Sequence, residues 1–375
     1  MKVVHITTVH NPFDTRIFEK MCKSAVEAGW DVTLVAGHDR NEIVDGVKVI
    51  SFPRQPNRLR RLLLSIPRAI RLASKVRADI YHIHDPELLV AFRFLPRSGI
   101  AIYDMHENMA ASIRHKPWIP SWLRSPAARL WNCIESMLLR SVPVIFAEYS
   151  YQRDYPWVKC SEVVLNMPKS EQLVALKVEG RVEGKLVYVG TVSAGRGSLV
   201  TLRALEILQR RRTEVQFLCI GPSAPQHRAE LDAFVSQKEL RNVQFIGRMR
   251  SIDAWKLAAQ CHIGLATVLP LPNYVESYPT KLFEYMAIGV PVIASNFELY
   301  KNVVETVGCG ICVDPEDPEQ IAGAIETILD NPQMASEMSK RGQNAALVRF
   351  RWDVEADKLK TFYSRLLPVH SVRKP

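Results

Sequence analysis

The densest chemistry in the chain lies in Glu276-Ser277-Tyr278-Pro279-Thr280-Lys281-Leu282-Phe283-Glu284, two carboxylates eight positions apart around a Pro-Thr-Lys. Helical spacing starts at Thr280 or Lys281 and runs to Ile288. Leu282, Tyr285 and Met286 share a face, Gly289 can supply a left-handed cap, and Pro291 forbids continuation. Free backbone N–H groups at the start of such a helix suit a phosphate or sugar hydroxyls. Glu276 suits sugar hydroxyls and Glu284 a ribose, and two carboxylates that accept from neutral hydroxyls need not form an acid–base couple. The alternative is a charge that favours the helix dipole plus a surface glutamate.

A second group is Gly190-Thr191-Val192-Ser193-Ala194-Gly195-Arg196-Gly197. Its glycines let the backbone approach a ligand, and Arg196 offers bidentate hydrogen bonds to a diphosphate. A solvated arginine is the alternative, but a cation is disfavoured at a helix start. A dinucleotide fingerprint would need a third glycine that Gly195-Arg196-Gly197 lacks. Histidines form a third group. His106 follows a strand in Tyr103-Asp104-Met105-His106-Glu107 and can hydrogen-bond a hydroxyl near neutral pH. His82 and His84, in His82-Ile83-His84-Asp85-Pro86, invite a metal reading, but the sequence shows no third ligand. His82 is expected to pack into the sheet, with His84 nearer the strand end. No Asp-x-Asp is present to hold a metal on a diphosphate. In Asn11-Pro12-Phe13-Asp14-Thr15-Arg16, Asp14 and Arg16 either shape the acceptor or diphosphate side or pair with each other.

The elements that must position these groups are strands alternating with helices, which predicts parallel sheets with helices on both faces. Strands are expected at 3–6, 31–35, 80–83, 101–103, 142–146 and 163–165, with a helix over 16–28 stopping at Gly29. The pattern restarts with strands at 185–190, 215–221, 243–247, 262–267 and 290–294 and helices over 197–210 and 253–259. Residues 166–184 are the linker candidate. In such sheets, ligands bind at the carboxyl ends of strands. The lone Cys309-Gly310-Ile311-Cys312 sits in an apolar run and reads as buried small residues rather than a redox pair.

The 375 residues suit about two domains and carry a net charge of +10. Residues 1–170 hold 24 Lys+Arg against 16 Asp+Glu, and the rest hold 25 against 23. The partner of the N-terminal half is therefore expected to be anionic. Between Gly46 and Ala78 no acidic residue occurs, while Arg54, Arg58, Arg60, Arg61, Arg68, Arg71, Lys75 and Arg77 alternate with leucines and isoleucines. Residues 114–140 add Arg114, Lys116, Arg124, Arg129 and Arg140 with Trp118, Trp122 and Trp131. Basic amphipathic helices with tryptophan suit an anionic membrane surface, at about 1 kcal/mol per basic residue. A solvated helix face over an ordinary core is the alternative. Nucleic acid fits poorly, because no reading motif accompanies the charge. The start is unlike a signal peptide, no stretch approaches the ~20 apolar residues of a membrane span, and seven scattered cysteines suit a reducing compartment. A cytoplasmic protein, peripheral at the inner face of the membrane, is expected.

The Glu276–Glu284 stretch and its continuation EYMAIGVPVIAS resemble the E-x7-E motif of retaining, GT-B-fold glycosyltransferases of family 4, the glycosyl transferases group 1. DTRIFEKMCKSAVEAGWDVTLV, HIHDPELL, YDMHE, VVLNMP, YVGTVSAGRG, FLCIGPS, VQFIGRM and GCGICVDPEDPEQIAGAI extend the resemblance over almost the whole chain. It implies an α/β fold of two Rossmann-like domains facing across a cleft. Residues 1–167 would bind the acceptor and 168–350 the nucleotide sugar, and 351–375 would form a C-terminal helix crossing back to the first domain. The implied reaction moves a sugar, with retention, from a nucleotide diphosphate sugar to a hydroxyl of a glycan or lipid-linked acceptor, in cell-envelope or exopolysaccharide synthesis. Neither a cofactor nor an essential metal is implied. The catalytic residues would be His106, facing the donor sugar, Arg196 on the leaving diphosphate, and Glu276 on the sugar. The donor would be held by Gly190, Thr191, Arg196, Arg248, Met249, Glu276, Ser277, Tyr278, Pro279, Thr280 and Glu284, with the Gly247-Arg248-Met249 loop against the base. The family's usual loop has an arginine after the first glycine and a lysine later. Here Thr191 takes the first place and Arg196 the second, so one cation of the pair is missing. A nucleotide-sugar epimerase of the same fold and a catalytically silent sugar-nucleotide-binding subunit are the alternatives.

Overall fold

The computed structural model describes residues 1–55, 57–115, 119–176, 178, 180–211 and 215–367. The chain divides into two compact units, Met1–Asn166 with the stretch from Trp352, and Met167–Arg351.

The first unit is built on eight strands: β1 (Lys2–Ile6), β2 (Asp31–Gly37), β3 (Glu42–Val44), β4 (Val47–Phe52), β5 (Ile80–Ile83), β6 (Ile100–Met105), β7 (Val144–Phe146) and β8 (Ser161–Val163). Their spatial order is β3-β4-β2-β1-β5-β6-β7-β8. Neighbours are parallel except β3 and β4. Those two form a hairpin through Asp45-Gly46, both at positive φ (50° and 81°). Two such residues give the turn whose twist matches the flanking strands. The sequence reading passed over this hairpin. The central strands are covered on both faces, so they read as apolar runs rather than alternating ones. Val3, Val4, Ile6, Ile80, Tyr81 and Ile83 are all fully buried.

The helix Trp352–Leu366 closes this unit. Trp352, Ala356, Leu359, Phe362 and Tyr363 recur at helical spacing and pack with Val3, Met21, Ile80 and Ile102. Polar bonds fix its register. Trp352 Nε1 donates to Ser24 Oγ at 2.8 Å, and Glu355 accepts from the Leu165 N–H at 2.8 Å. The Tyr363 hydroxyl pairs with His82 Nδ1.

The second unit is an all-parallel sheet of β9 (Val182–Val189), β10 (Gln216–Ile220), β11 (Val243–Gly247), β12 (Cys261–Ala266), β13 (Val292–Ser295) and β14 (Gly310–Val313), in the order β11-β10-β9-β12-β13-β14. The order reverses between β9 and β12, the place where doubly wound sheets open a crevice at their carboxyl ends. β14 takes up Gly310, Ile311 and Cys312 of the Cys309–Cys312 run, and all seven cysteines are free thiols.

Candidate active-site residues

In the second unit the chain leaves β9 at Gly190 and turns through a short helical loop, Ala194–Arg196, into the helix Ser198–Arg211. Two glycines make this path possible. A Cβ on Gly197 would lie 2.0 Å from the Thr267 carbonyl oxygen, and one on Gly221 would lie 1.8 Å from the Gly190 carbonyl oxygen. Both contacts are far inside van der Waals distance, and both residues have positive φ (74° and 149°), which glycine alone adopts freely. The loop is fixed by the Tyr188 hydroxyl, which donates to the Thr191 carbonyl at 2.7 Å.

The helix Thr280–Ala287 starts beside this loop, and no side chain caps it. Its start therefore presents unsatisfied donors and a positive partial charge. Tyr285 ties the helix to the sheet: its hydroxyl accepts from the Val189 N–H at 2.9 Å and donates to the Val187 carbonyl at 3.2 Å. Gly289, at φ 70°, ends it as expected. Between helix and loop lies a cavity of about 360 Å³. It is lined by Gly190, Arg196, Ser277, Tyr278, Pro279, Thr280, Lys281 and Glu284 among others. Arg196 stands 5.6 Å from the centre of the Tyr274 ring, and the phenols of Tyr188 and Tyr274 favour its charge against burial.

Seven of the sequence candidates thus line one cavity, and the others stand outside its lining. Thr191 is exposed on the loop, and Glu276 is exposed at the end of the short helix Pro272–Val275, next to the lining residue Ser277. Arg248 and Met249 follow β11, and the lining takes Ser251 and Trp255 from the next helix instead. Reading the sequence missed Lys281, Tyr188, Tyr274 and Trp255. Only Lys281 left a signal, as a lysine in the first turn of a helix where a cation is disfavoured.

In the first unit the carboxyl ends of β1, β5 and β6 gather a polar cluster. His106 Nε2 lies 2.7 Å from Asp104 Oδ2, and His84 Nδ1 lies 3.1 Å from the same oxygen. His84 Nε2 faces His5 Nδ1 at 2.9 Å. Arg16 grips Asp104 with two bonds of 2.9 and 3.2 Å and also donates to the Val164 carbonyl at 2.9 Å. Asp14 and Arg16 therefore do not pair by their side chains. Asp14 instead accepts from the backbone N–H groups of Arg16 and Ile17, at 2.8 and 3.0 Å, and starts the helical run that follows. Burial opposes ionisation of Asp104, but the charges of Arg16 and His106 hold it well below the usual carboxylate range. Burial pushes His84 down to about 3 and lowers His5 and His82 as well, so these three imidazoles are neutral. The third partner that His84 lacked in the sequence is thus present: His84, Asp104 and His106 converge closely enough to hold an ion. The Asp104 carboxylate they share is already neutralised by Arg16.

Beside this cluster is a cavity of about 340 Å³ whose walls include His10, His84, Asp85, His106, Glu107 and Trp131. Asp85 is buried and accepts from the Thr7 and Thr8 hydroxyls and the Thr8 and Val9 N–H groups, which fixes the loop after β1. Burial works against charge on His10, but the carboxylates of Asp14, Asp85 and Asp104 raise it overall. Asp85 and His10 were not singled out from the sequence.

The basic stretch 58–76 is helical, with Arg68, Arg71 and Lys75 exposed. Leu59, Leu63 and Leu64 are exposed beside them, at 64%, 65% and 56%. On the helix Ser121–Leu139, Leu123, Leu130, Ile134 and Met137 fall on one exposed face, with Trp122 exposed at 74% nearby. Lys116 and Trp118 lie outside the described residues. Among the described residues, no helix is long and apolar enough to cross a membrane.

Comparison with known proteins agrees with this geometry. Residues 178–345 match the family model described as glycosyl transferases group 1, and residues 15–155 match that of the glycosyl transferase 4-like domain. The chain is 24% identical to a glycogen synthase of Mycobacterium tuberculosis over 353 residues, covering 86% of this chain and 81% of that one. Among solved structures, sucrose-phosphate synthase from Thermosynechococcus elongatus superposes with a TM-score of 0.76 at 18% identity, over 97% of this chain and 98% of that one. The Anabaena protein HepE, solved with UDP and glucose, superposes with a TM-score of 0.73 at 16% identity, over 98% and 100%. The chain accordingly belongs to the glycosyltransferases of the GT-B fold, with a glycosyl transferase 4-like domain followed by a glycosyl transferases group 1 domain.

Proposed function

We propose that this glycosyltransferase takes its sugar from a nucleoside diphosphate sugar and transfers it, with retention, to a hydroxyl acceptor. One observation carries the reading: the uncapped start of the helix Thr280–Ala287 and the cations Arg196 and Lys281 share one cavity at the switch point of a doubly wound sheet. Backbone donors, a helix dipole and fixed cations suit a diphosphate that gains charge as it leaves. In that step the bond from the anomeric carbon to the diphosphate oxygen breaks and its electron pair stays on the diphosphate. The acceptor oxygen bonds to the same face of the sugar, and its proton passes to the departing phosphate. Glu276 and Ser277 are assigned to the donor sugar, Glu284 to the ribose, and the loop Gly190–Thr191 with Arg248 and Met249 to the nucleotide. His106, held by Asp104, is assigned to a sugar hydroxyl, and no metal or cofactor is required. The UDP and glucose bound by HepE make UDP-glucose the first donor to try.

The units divide the labour in this reading, the second holding the donor and the first the acceptor. Exposed leucines among arginines on 58–76 and the apolar stripe on Ser121–Leu139 support a lipid-linked acceptor at an anionic, inner membrane face. An envelope or exopolysaccharide intermediate is the substrate class that fits. Donor hydrolysis measured across UDP-, GDP-, ADP- and dTDP-sugars, followed by NMR of the released anomer, tests the reading. Release of the α-anomer from an α-linked donor is expected. Glu276→Ala should lose at least about 100-fold in turnover with an unchanged melting curve. Hydrolysis of none of these donors, or full activity in the variant, would remove it.

A further inference from the structure

Lys281 is a costly residue where it stands. Its side chain is 6% exposed, and among the described residues its Nζ has no hydrogen-bond partner. Burying an amine without a partner is unfavourable, and a cation at the first turn of a helix opposes the dipole. The amine packs on the face of Tyr188, whose ring centre lies 3.6 Å from Nζ. The side chain nevertheless lines the same cavity as Arg196 and Glu284. Both cations point at one small volume. A Cβ built on Gly190 would lie 3.4 Å from Lys281 Nζ and 3.6 Å from Arg196 Nη1. Gly190 leaves that volume open, and the uncapped start of the helix Thr280–Ala287 borders it.

We propose that Lys281 is the second cation of a diphosphate site, standing in for the basic side chain that Thr191 lacks. This rests on the reading of the cavity as a nucleoside diphosphate site and deepens it. Two fixed cations that close would repel each other without an anion between them. Burial first, and the charge of Arg196 second, push the Lys281 amine well below its ordinary range, while Cys219 and Glu284 oppose them weakly. Tyr188, packed against the amine, is a neutral phenol because burial raises it. The amine therefore holds its proton less tightly than a free lysine does. A diphosphate placed between the two basic groups raises it again, so binding is expected to draw a proton from solvent. The proton cost falls on the free enzyme and is recovered only with the anion in place.

Titration calorimetry with UDP, GDP, ADP and uridine tests this on the full chain. For the diphosphate that binds best, the wild type should show an enthalpy that varies with the ionisation enthalpy of the buffer, the mark of proton uptake. Lys281→Met, similar in length and apolar, should melt at or above the wild-type temperature. It should bind that diphosphate about 10- to 100-fold more weakly, the loss expected for one charged hydrogen bond, and lose the buffer dependence. Uridine binding should change by less than about twofold, and adding Thr191→Arg to Lys281→Met should recover part of the lost affinity. Diphosphate affinity unchanged in Lys281→Met, or proton uptake that persists in it, would overturn the role of Lys281 while leaving the nucleotide reading intact. Equal weakening of uridine would mark a collapsed cavity and also count against it. A wild type that binds none of the three diphosphates would overturn the nucleotide reading, and this inference with it.

Discussion

Asp104→Asn is the substitution with the most legible physics. Asp104 is fully buried and Arg16 is 5% exposed, and the carboxylate accepts two bonds from the guanidinium and one each from His84 and His106. Removing one partner of a buried pair leaves the other charge uncompensated, at about 3–5 kcal/mol. Arg16 has little slack to absorb this, because its Nη1 is already without a partner. For a unit of this size each kcal/mol moves the melting temperature by about 2–4 °C, so the first unit should melt roughly 6–20 °C lower. The sign with pH follows from the depressed folded value of Asp104. The stability it contributes is present above the ordinary carboxylate value of 3.8 and is lost as pH falls below it. The gap between wild type and variant should therefore be full at pH 7 and narrow in acid. Urea unfolding at pH 7 and at about pH 2.5, below the ordinary carboxylate value, reads both effects. Arg16→Met combined with Asp104→Leu removes both charges and should recover more than half of the loss. A shift below about 3 °C in Asp104→Asn, or a double variant worse than the single, would refute the reasoning that this cluster is an ion pair first.

Three further outcomes follow from the same geometry. Glu135 is buried with Oε2 on the Tyr155 hydroxyl at 2.7 Å, and burial pushes its carboxyl from 4.5 up to about 7. Its penalty is absent below pH 4.5, grows through that window and is complete above pH 7, so Glu135→Gln should stabilise the protein by up to about 3 kcal/mol at pH 8 and hardly at pH 4.5. Tyr285→Phe strands the half-buried Val189 N–H and should cost about 1–3 kcal/mol in urea, with weaker nucleotide binding because β9 and the helix Thr280–Ala287 lose their tie. Leu63→Ser with Leu64→Ser should cut sedimentation with phosphatidylglycerol vesicles about tenfold and leave donor hydrolysis unchanged, since both side chains are exposed. Equal binding by wild type and variant would remove the membrane assignment.

Much of the fold was legible because parallel strands covered on both faces are written as short apolar runs between glycine-rich turns. β1, β2, β5 and the second unit's strands from β9 to β13 announce themselves this way, while β14 reads only as an apolar run. The hairpin β3–β4 did not, because β3 is only three residues long and both strands are partly exposed, and only Asp45-Gly46 marked it. At the site, the helix start at Thr280 and the loop with Arg196 were readable, because caps, glycines and charges act locally. The pairing of Arg16 with Asp104 spans 88 positions, and that of His5 with His84 spans 79. Nothing in local spacing encodes such contacts. Reading Asp14 with Arg16 as a pair failed for the same reason: neighbours in sequence seemed partners, while Asp14 was needed by the backbone.

The two sheets spend their unfavourable groups in the same place. Away from the carboxyl ends of the central strands, the core clusters are aliphatic and aromatic, with isolated buried polar residues such as Glu135 and Glu355. At those ends lie an unpartnered lysine in one unit and, in the other, a buried Arg16–Asp104 pair with three neutral imidazoles. Hydrophobic replacements would serve stability better at most of these positions. Glu135 is a buried cost of the same kind elsewhere in the first unit, but Lys281, His84 and His106 stand in the walls of the two cavities. Sites that must hold charge in a partly dry setting are where a fold accepts such strain. The costs also differ in kind. The histidine cluster is paired through Asp104, which holds both His84 and His106. Lys281 is unpaired, so it can change state when an anion arrives. In the proposed reading that contrast gives orientation to one cavity and charge capture to the other.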